Sequence, residues 1–314
     1  MRRLRILFLG TPEFGVPTLE RLAASRHTLC GVISGPDAPK GRGRTLQPPA
    51  IKVAAERLDL PVWQPASLER ETTKRLVWSL EPDLVVVVAF RILPPELLAL
   101  PQIGSINLHA SLLPKYRGPA PIQWALINGE TTTGLTVFLL EPTVDTGRII
   151  RQRPVPIGPD ETYGELSERL SVLGADEVAA AVEDLAAGRA SCIPQDESQA
   201  TRAPKLTRAD GKIDWARPAA AIRNRVRGVT PSPGAHTTWR GEPFGVLRVD
   251  GAQAPREGAP GQIVALDPKR GVAVRTGDGA VWLTAVQPPG GRAMDGAAWA
   301  RGARPKLGER FSGE

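Results

Sequence analysis

Disulfide and structural-zinc chemistry have little to work with in this sequence. Two cysteines in 314 residues, Cys30 and Cys192, cannot build a disulfide framework or a four-ligand zinc site. Long apolar runs are missing as well. The longest, residues 84–90, has seven residues, against the ~20 that a bilayer span requires. The segment MRRLRILFLG begins basic and apolar, but Thr11, Pro12 and Glu13 cut it short and no small-residue cleavage site follows. It reads as a first strand, no membrane association is expected, and the expected compartment is the cytoplasm. What is present is an ordinary globular composition: 41% hydrophobic and 23% charged residues exclude a fully disordered chain. At ~100–200 residues per domain, the length implies two domains or three. The 31 prolines and 32 glycines imply short elements and many fixed turns.

Charge divides the chain unevenly. Residues 205–314 hold 18 basic and 10 acidic side chains, a surplus of +8, whereas residues 1–204 hold 22 and 23, a balance of −1. A near-neutral front joined to a basic back suggests different surfaces for different partners, and a basic domain of this size is a candidate polyanion footprint. An Arg-rich composition without such a role would give the same balance.

The front alternates strand and helix signals. Strands are expected at 4–10, 27–33, 83–90, 105–111, 133–141 and 148–157, and helices at 16–24, 49–58, 68–80, 121–129 and 163–188. DLVVVVAF (83–90) is apolar on both faces, as a central parallel strand is. This alternation predicts an α/β fold, a Rossmann-like, mostly parallel sheet covered by helices. A polar stretch over 189–207 reads as a linker between a domain at 1–188 and a basic domain at 208–314. After one helix signal (218–227), the back half shows five short strands, GAHTTW, FGVLRV, GQIVALD, GVAVRT and AVWLTAV. A small β-barrel of the oligonucleotide-binding type is the natural expectation.

Chemistry concentrates in INLHASLLPKYRGPAP (106–121) and EPTVDTG (141–147). Asn107 and His109 are two apart in a strand, so they share a face, near the carboxyl end of the strand where open parallel sheets bind ligands. Asp145 follows another strand in a turn with Gly147. An amide donor, a proton-carrying imidazole and a carboxylate on one rim suit transfer of an acyl or formyl group to an amine that the substrate itself supplies. The same three residues also fit purely structural roles, as a capping Asn, a buried His and a turn Asp. His27 and His236 lack such company. The turn GTPEFG (10–15) matches neither dinucleotide-binding nor phosphate-binding glycine patterns. Within residues 36–49, Lys40, Arg42 and Arg44 lie in a segment that reads either as a plain surface loop or as an arm meeting phosphates. Arg223, Arg225 and Arg227 on the expected helix, with Arg240, Arg248, Lys269, Arg270 and Arg275 on the expected strands, make a candidate polyanion surface or a solvated face.

The segment HASLLPKYRGPAPIQWALINGE (109–130), with Asn107 just ahead, closely resembles the signature of the folate-dependent formyltransferases. GTPEFGVPTLERL (10–22), GPDAPKGRGRTLQPP (35–49), VVVAFRILPPELL (86–98), ATRAPKLTRADGKIDW (200–215) and GDGAVWLTAVQPPGGRAM (277–294) extend the resemblance over nearly the whole chain, toward the branch that acts on tRNA. The resemblance implies an enzyme with 10-formyltetrahydrofolate as formyl donor and the α-amine of initiator methionyl-tRNA as acceptor. It also implies no metal, and a monomer is expected. Asn107, His109 and Asp145 match the family's catalytic set. Ser111, Leu112, Leu113 and Pro114 match its folate-contacting turn, with Phe90 and Ile92 beside the pterin. Arg42, flanked by Lys40 and Arg44, falls in the loop that reaches the acceptor end of the tRNA. Two positions depart from the pattern: Thr143–Val144 stands where Gly-Leu is usual, and Arg91 where many members have Gly. A formyltransferase for small amines, or a non-catalytic nucleic-acid-binding protein on the same scaffold, are the readings that compete with this one.

Overall fold

The computed structural model describes residues 2–40, 45–252 and 257–312. They form two compact units. The first takes in the chain up to Pro121, Thr132–Pro156 and Ser167–Ala203; the second takes in Ile122–Thr131, Ile157–Leu166 and the chain from Pro204 onward.

The first unit is built on a central sheet. In chain order its elements are β1 (Arg5–Gly10), α1 (Val16–Ala23), β2 (Thr28–Ile33), a hairpin of β3 (Ala38–Lys40) and β4 (Thr45–Gln47), then α2 (Ala50–Arg57), β5 (Val62–Trp63), α3 (Glu71–Ser79), β6 (Leu84–Val88), α4 (Pro95–Leu98) and β7 (Gly104–His109). Helix α5 (Pro121–Ile127) comes next in sequence, followed by β8 (Thr132–Leu139), β9 (Ile149–Pro156) and α6 (Tyr163–Ala186). The sheet order is β5-β2-β1-β6-β7-β8-β9. Strands β5 to β7 run parallel, and β8 and β9 add antiparallel.

Every residue of β6, LVVVV, is buried. β-Branched side chains on both faces suit a strand covered above and below. On one face Leu7, Leu9, Ile33, Val85 and Val87 pack with Val77 of α3 and Leu97 of α4. Ile6, Phe8 and Val86 alternate to the opposite face and are buried too. Each such side chain contributes ~1.5–3 kcal/mol by leaving water, so this core fixes the strand register rigidly.

The second unit carries α7 (Ala219–Val229), β10 (His236–Trp239), β11 (Glu242–Ala252), β12 (Ile263–Asp267), β13 (Gly271–Arg275), β14 (Ala280–Gln287), β15 (Met294–Asp295), α8 (Gly296–Ala303) and β16 (Phe311–Ser312). Its antiparallel sheet runs β12-β13-β14-β11-β10-β16, with β15 paired to β14. The five strands expected from the sequence are all there. The sheet curls into a half-barrel whose edges meet: the Ile263 amide donates to the Glu309 carbonyl and the Phe311 amide to the Gly261 carbonyl, both at 2.8 Å. Inside, Trp239, Phe244, Trp299 and Phe311 form one aromatic cluster, with Phe244–Trp299 centroids 4.8 Å apart and Trp239–Trp299 centroids 5.0 Å apart.

Beyond short elements that the sequence reading does not anticipate, among them β5, α4 and α8, three stretches differ from it. The strand expected at 105–111 ends at His109, so Ala110 and Ser111 belong to the following loop. The 36–49 segment holds a short antiparallel hairpin, Ala38–Lys40 against Thr45–Gln47. Residues 193–203, read as part of a polar linker, run along the first unit: Ile193 exchanges both backbone hydrogen bonds with Ile149, at 2.8 and 2.9 Å, and Ala203 donates to Arg117 at 2.7 Å. Polar composition marked this stretch as loop but could not show that its backbone is paired.

Candidate active site

The strand order reverses between β1 and β6, because β2 and β5 lie on one side of β1 while β7, β8 and β9 lie beyond β6. Open α/β sheets leave their ligand crevice at such a reversal, outside the carboxyl ends of the strands. The loops that follow β1, β6 and β7 start there.

Strand β7 delivers two of the three catalytic candidates. Asn107 sits opposite Phe138 and His109 opposite Thr136 on β8, so the two share one face at the strand's end. Asn107 is half-buried; His109 is 6% exposed. Asp145, 8% exposed, comes from the loop after β8, and its Oδ2 lies 3.8 Å from His109 Nδ1. The structure thus brings Asp145 to the imidazole, as an ion-pair neighbour rather than a direct hydrogen bond. The same Oδ2 accepts from the Gly118 amide at 2.8 Å.

His109 Nε2 lies 2.9 Å from the Tyr116 carbonyl oxygen. That oxygen can only accept, so Nε2 carries a hydrogen. Nδ1 is the ring nitrogen that faces Asp145. Asp145 itself holds a left-handed backbone, φ +57°. Two residues on, Gly147 is required by close approach: a Cβ there would stand 1.6 Å from the Leu139 carbonyl oxygen.

The turn Ser111–Leu112–Leu113–Pro114 leads directly from His109. Its shape is set by Thr136, a buried residue that the sequence reading did not single out. Thr136 Oγ1 donates to the Ser111 carbonyl at 2.7 Å and accepts from the Leu113 amide at 3.2 Å and from Gln152 Nε2 at 3.0 Å. Gln152 Nε2 also donates to the Leu113 carbonyl at 2.9 Å. Ser111 is fully buried and its hydroxyl donates to the Lys115 carbonyl at 2.6 Å. Leu113 points into the core, whereas Leu112 and Pro114 are half-buried.

Beyond β6, Phe90 is half-buried and Ile92 is 73% exposed, an apolar side chain left uncovered beside the crevice. Arg91 does not reach outward. Its guanidinium lies 5.2 Å over the Phe90 ring and donates to the carbonyls of Pro65 and Ala66, at 3.0 and 3.2 Å. Val144, at the other departure from the family pattern, is exposed. Burial pushes the Cys30 thiol up, the opposite of what a reactive thiolate needs. Among the described residues, no group of three His, Cys, Asp or Glu side chains is placed to hold a metal ion.

The basic candidates fare differently. Arg42 and Arg44 lie outside the described residues, and Lys40 closes β3. Arg223 pairs with Asp160, and Arg248 with Glu165. Arg225 donates to the Asp210 carbonyl at 3.2 Å, and Arg240 pairs with Glu309 at 2.9 Å. Arg275 donates to the Thr276 carbonyl at 2.7 Å. Arg227 is turned inward: 9% exposed, it donates to Asn224 Oδ1 at 3.0 Å and to the Gly158 carbonyl at 3.2 Å. Burial, with Arg223 nearby, holds its guanidinium below the usual arginine value. Lys269 and Arg270, in the turn between β12 and β13, are exposed.

Comparison with known proteins places these observations. The formyl transferase family profile matches residues 4–182, and the formyl transferase C-terminal domain profile matches residues 205–304. The methionyl-tRNA formyltransferase of Geobacter sulfurreducens is 44% identical over 291 residues, covering 92% of this chain and 91% of its own. That of Heliobacterium modesticaldum is 46% identical over 301 residues, covering 93% and 94%. Among solved structures, HypX from Aquifex aeolicus in complex with tetrahydrofolic acid is similar with a TM-score of 0.66 at 19% identity; 98% of this chain matches, but only 49% of HypX, about half its length. The sugar 3N-formyl transferase WlaRD gives a TM-score of 0.66 at 16% identity, covering 90% and 97%.

Proposed function

The chain belongs to the formyl transferase family, and from that premise we propose that it moves the formyl group of 10-formyltetrahydrofolate onto the α-amine of initiator methionyl-tRNA. The observation that carries this reading is similarity to methionyl-tRNA formyltransferases over both units, at 44–46% identity. The residues present fit the folate. The Thr136-braced turn supplies a pre-shaped backbone, Ile92 and Phe90 supply apolar surface, and Asn107 and His109 supply donors where the formyl oxygen gains charge.

The reaction then needs little from the protein but placement and charge stabilisation. An α-amine has a pKa of ~7.7–8.0, so much of it is neutral near pH 7.5 and able to attack. A carbon–nitrogen bond forms to the formyl carbon and the oxygen becomes an oxyanion. Asn107 and His109 donate to it. His109 does so by sharing or surrendering the hydrogen bond that Nε2 makes to Tyr116. Asp145 balances the charge on the ring. Collapse expels the folate nitrogen, which takes up the proton that the amine loses, with His109 and Asp145 as its carriers. Loss of one oxyanion donor costs ~3 kcal/mol, on the order of a hundredfold in rate.

In this reading the 36–49 segment, through Lys40, Arg42 and Arg44, reaches the acceptor end of the tRNA, and exposed cations of the back unit such as Lys269 and Arg270 meet phosphates. The enzyme works as a monomer in the cytoplasm; among the described residues no helix is long and apolar enough to cross a membrane. The test is formylation of methionyl-initiator tRNA, beside methionyl-elongator tRNA and free methionine. Formylation of the initiator alone is expected. Turnover of free amines without tRNA dependence would overturn the acceptor and leave the donor site standing.

A further inference from the structure

Residues 195–203 carry no group that formyl transfer uses, yet their contacts converge on the two loops that hold His109 and Asp145. Gln195 Nε2 donates to the backbone carbonyls of Asp145 and Gly147, at 2.9 and 2.8 Å. Its Oε1 accepts from Arg117 Nε and Nη2, at 3.1 and 2.7 Å. A guanidinium has only donors and a carbonyl only accepts, so this amide has one workable orientation: oxygen toward Arg117, nitrogen toward the turn. Arg117 is fixed in turn. It donates to both oxygens of Glu197, at 2.8 and 2.6 Å, and that hydrogen bonding is the main cause of the raised guanidinium and the lowered carboxyl pKa in the pair. Its backbone is paired with Thr201 and Ala203, at 2.9 and 2.7 Å. Beside it, Thr201 Oγ1 accepts from the amide of Tyr116, at 2.8 Å, and the carbonyl of Tyr116 holds His109.

The turn that Gln195 grips needs such a grip. Asp145 is left-handed at φ +57°, a conformation uncommon outside glycine, although aspartate adopts it more readily than most residues. Gly147 is seated against Leu139 without room for a Cβ. Between these two points, Gln195 bonds the carbonyl on each side of Thr146. Without those bonds the turn is free to relax, and Asp145 Oδ2 leaves Gly118 and His109.

We propose that Gln195, oriented by Arg117, is a positioning residue for formyl transfer, holding the 145–147 turn so that the Asp145 carboxylate stays on His109. The proposal rests on the reading of Asp145 as part of the active site. It makes the stretch ahead of the back unit part of the catalytic frame.

Gln195→Glu is the informative change. It keeps the shape and strengthens the pairing to Arg117, but replaces the donor facing two carbonyls with an acceptor. In steady-state kinetics kcat is expected to fall ~10–50-fold, with KM for folate and tRNA within about threefold and melting temperature close to wild type. A side chain that only packs would not produce that split. The double variant Gln195→Glu/Asp145→Asn is expected to turn over no more slowly than Asp145→Asn alone, because the first change acts through the second. Wild-type kcat in Gln195→Glu, with Asp145→Asn crippled, would overturn the proposal; so would losses that multiply in the double variant. Wild-type turnover in Asp145→Asn would instead remove the reading on which the proposal stands. Should Gln195→Glu fail to fold, Arg117→Met leaves the Gln195 amide in place but free to rotate, with the same expected kcat loss and the same refuting results.

Discussion

Replacing Thr136 by valine removes one oxygen from the buried junction beneath the Ser111–Pro114 turn and leaves a side chain of nearly the same shape. No cavity opens, so the cost is almost wholly hydrogen bonding. Three bonds are lost, to the Ser111 carbonyl, from the Leu113 amide and from Gln152. Gln152 keeps its second acceptor, the Leu113 carbonyl, and loses least. The other two are buried backbone groups left without a partner, at ~1–3 kcal/mol each. With partial relaxation the total is about 2–4 kcal/mol, which for a unit of this size lowers the melting temperature by roughly 5–12 °C. Because the loosened turn is the one assigned to the folate, KM for 10-formyltetrahydrofolate is expected to rise about tenfold, equivalent to ~1.4 kcal/mol, with kcat much less affected. Calorimetry and steady-state kinetics on purified Thr136→Val measure both. A melting temperature within 1 °C of wild type together with an unchanged folate KM would refute the argument that this hydroxyl builds the turn.

Other consequences concern the back unit. Arg227→Met is expected to leave the salt dependence of tRNA binding unchanged while lowering the thermal stability of the back unit, since this buried guanidinium serves interior oxygens. Neutralising exposed Lys269 and Arg270 together is expected to flatten the slope of log affinity against log salt by up to about two. Flattening by Arg227→Met and none by the exposed pair would reverse this assignment. The carboxyls of Glu165 and Asp210 are held below their usual values, chiefly by the backbone amides of Thr162 and Thr207. A depressed folded-state pKa contributes stability that is fully present above the unfolded value and is lost as pH falls through the folded one. Acid unfolding followed by circular dichroism should therefore begin as pH drops below ~4 and steepen below it, and Glu165→Gln with Asp210→Asn should flatten that limb. An unchanged limb in the double variant would place the acid sensitivity elsewhere.

Much of this site was legible before any coordinates. Asn107 and His109 are two apart, and a period of two puts them on one face wherever the strand lies. Apolar runs such as LVVVV demanded a covered sheet, and the carboxyl end of such a sheet is where a ligand sits. Asp145 was legible as a turn residue after a strand. The direction of the last two front strands was less so: β8 and β9 are joined by only nine residues (140–148), too few for a parallel crossover, and they pair antiparallel. Thr136, Gln152 and Gln195 left no such trace. Their roles depend on hydrogen bonds between segments 16 to 50 residues apart, which neither periodicity nor spacing encodes. In the basic back half the charge count is silent on partners. Composition counts cations without counting their partners, and Arg223, Arg240 and Arg248 are each met by a carboxylate. Arg227 lies next to Val226 on the buried face that Ile222, Val226 and Val229 define, a helical pattern that the charge count overlooked.

The central claim, that Asn107 and His109 at the end of β7 stabilise the formyl oxyanion without building the tRNA site, is tested most directly by single-turnover formylation. Asn107→Ala and His109→Ala would be saturated with methionyl-initiator tRNA and 10-formyltetrahydrofolate, and tRNA affinity measured in the same preparations. The account predicts a rate at least about a hundredfold below wild type with tRNA affinity within twofold. A His109→Ala enzyme that formylates within a few-fold of wild type, or one whose loss is entirely in tRNA affinity, would contradict it.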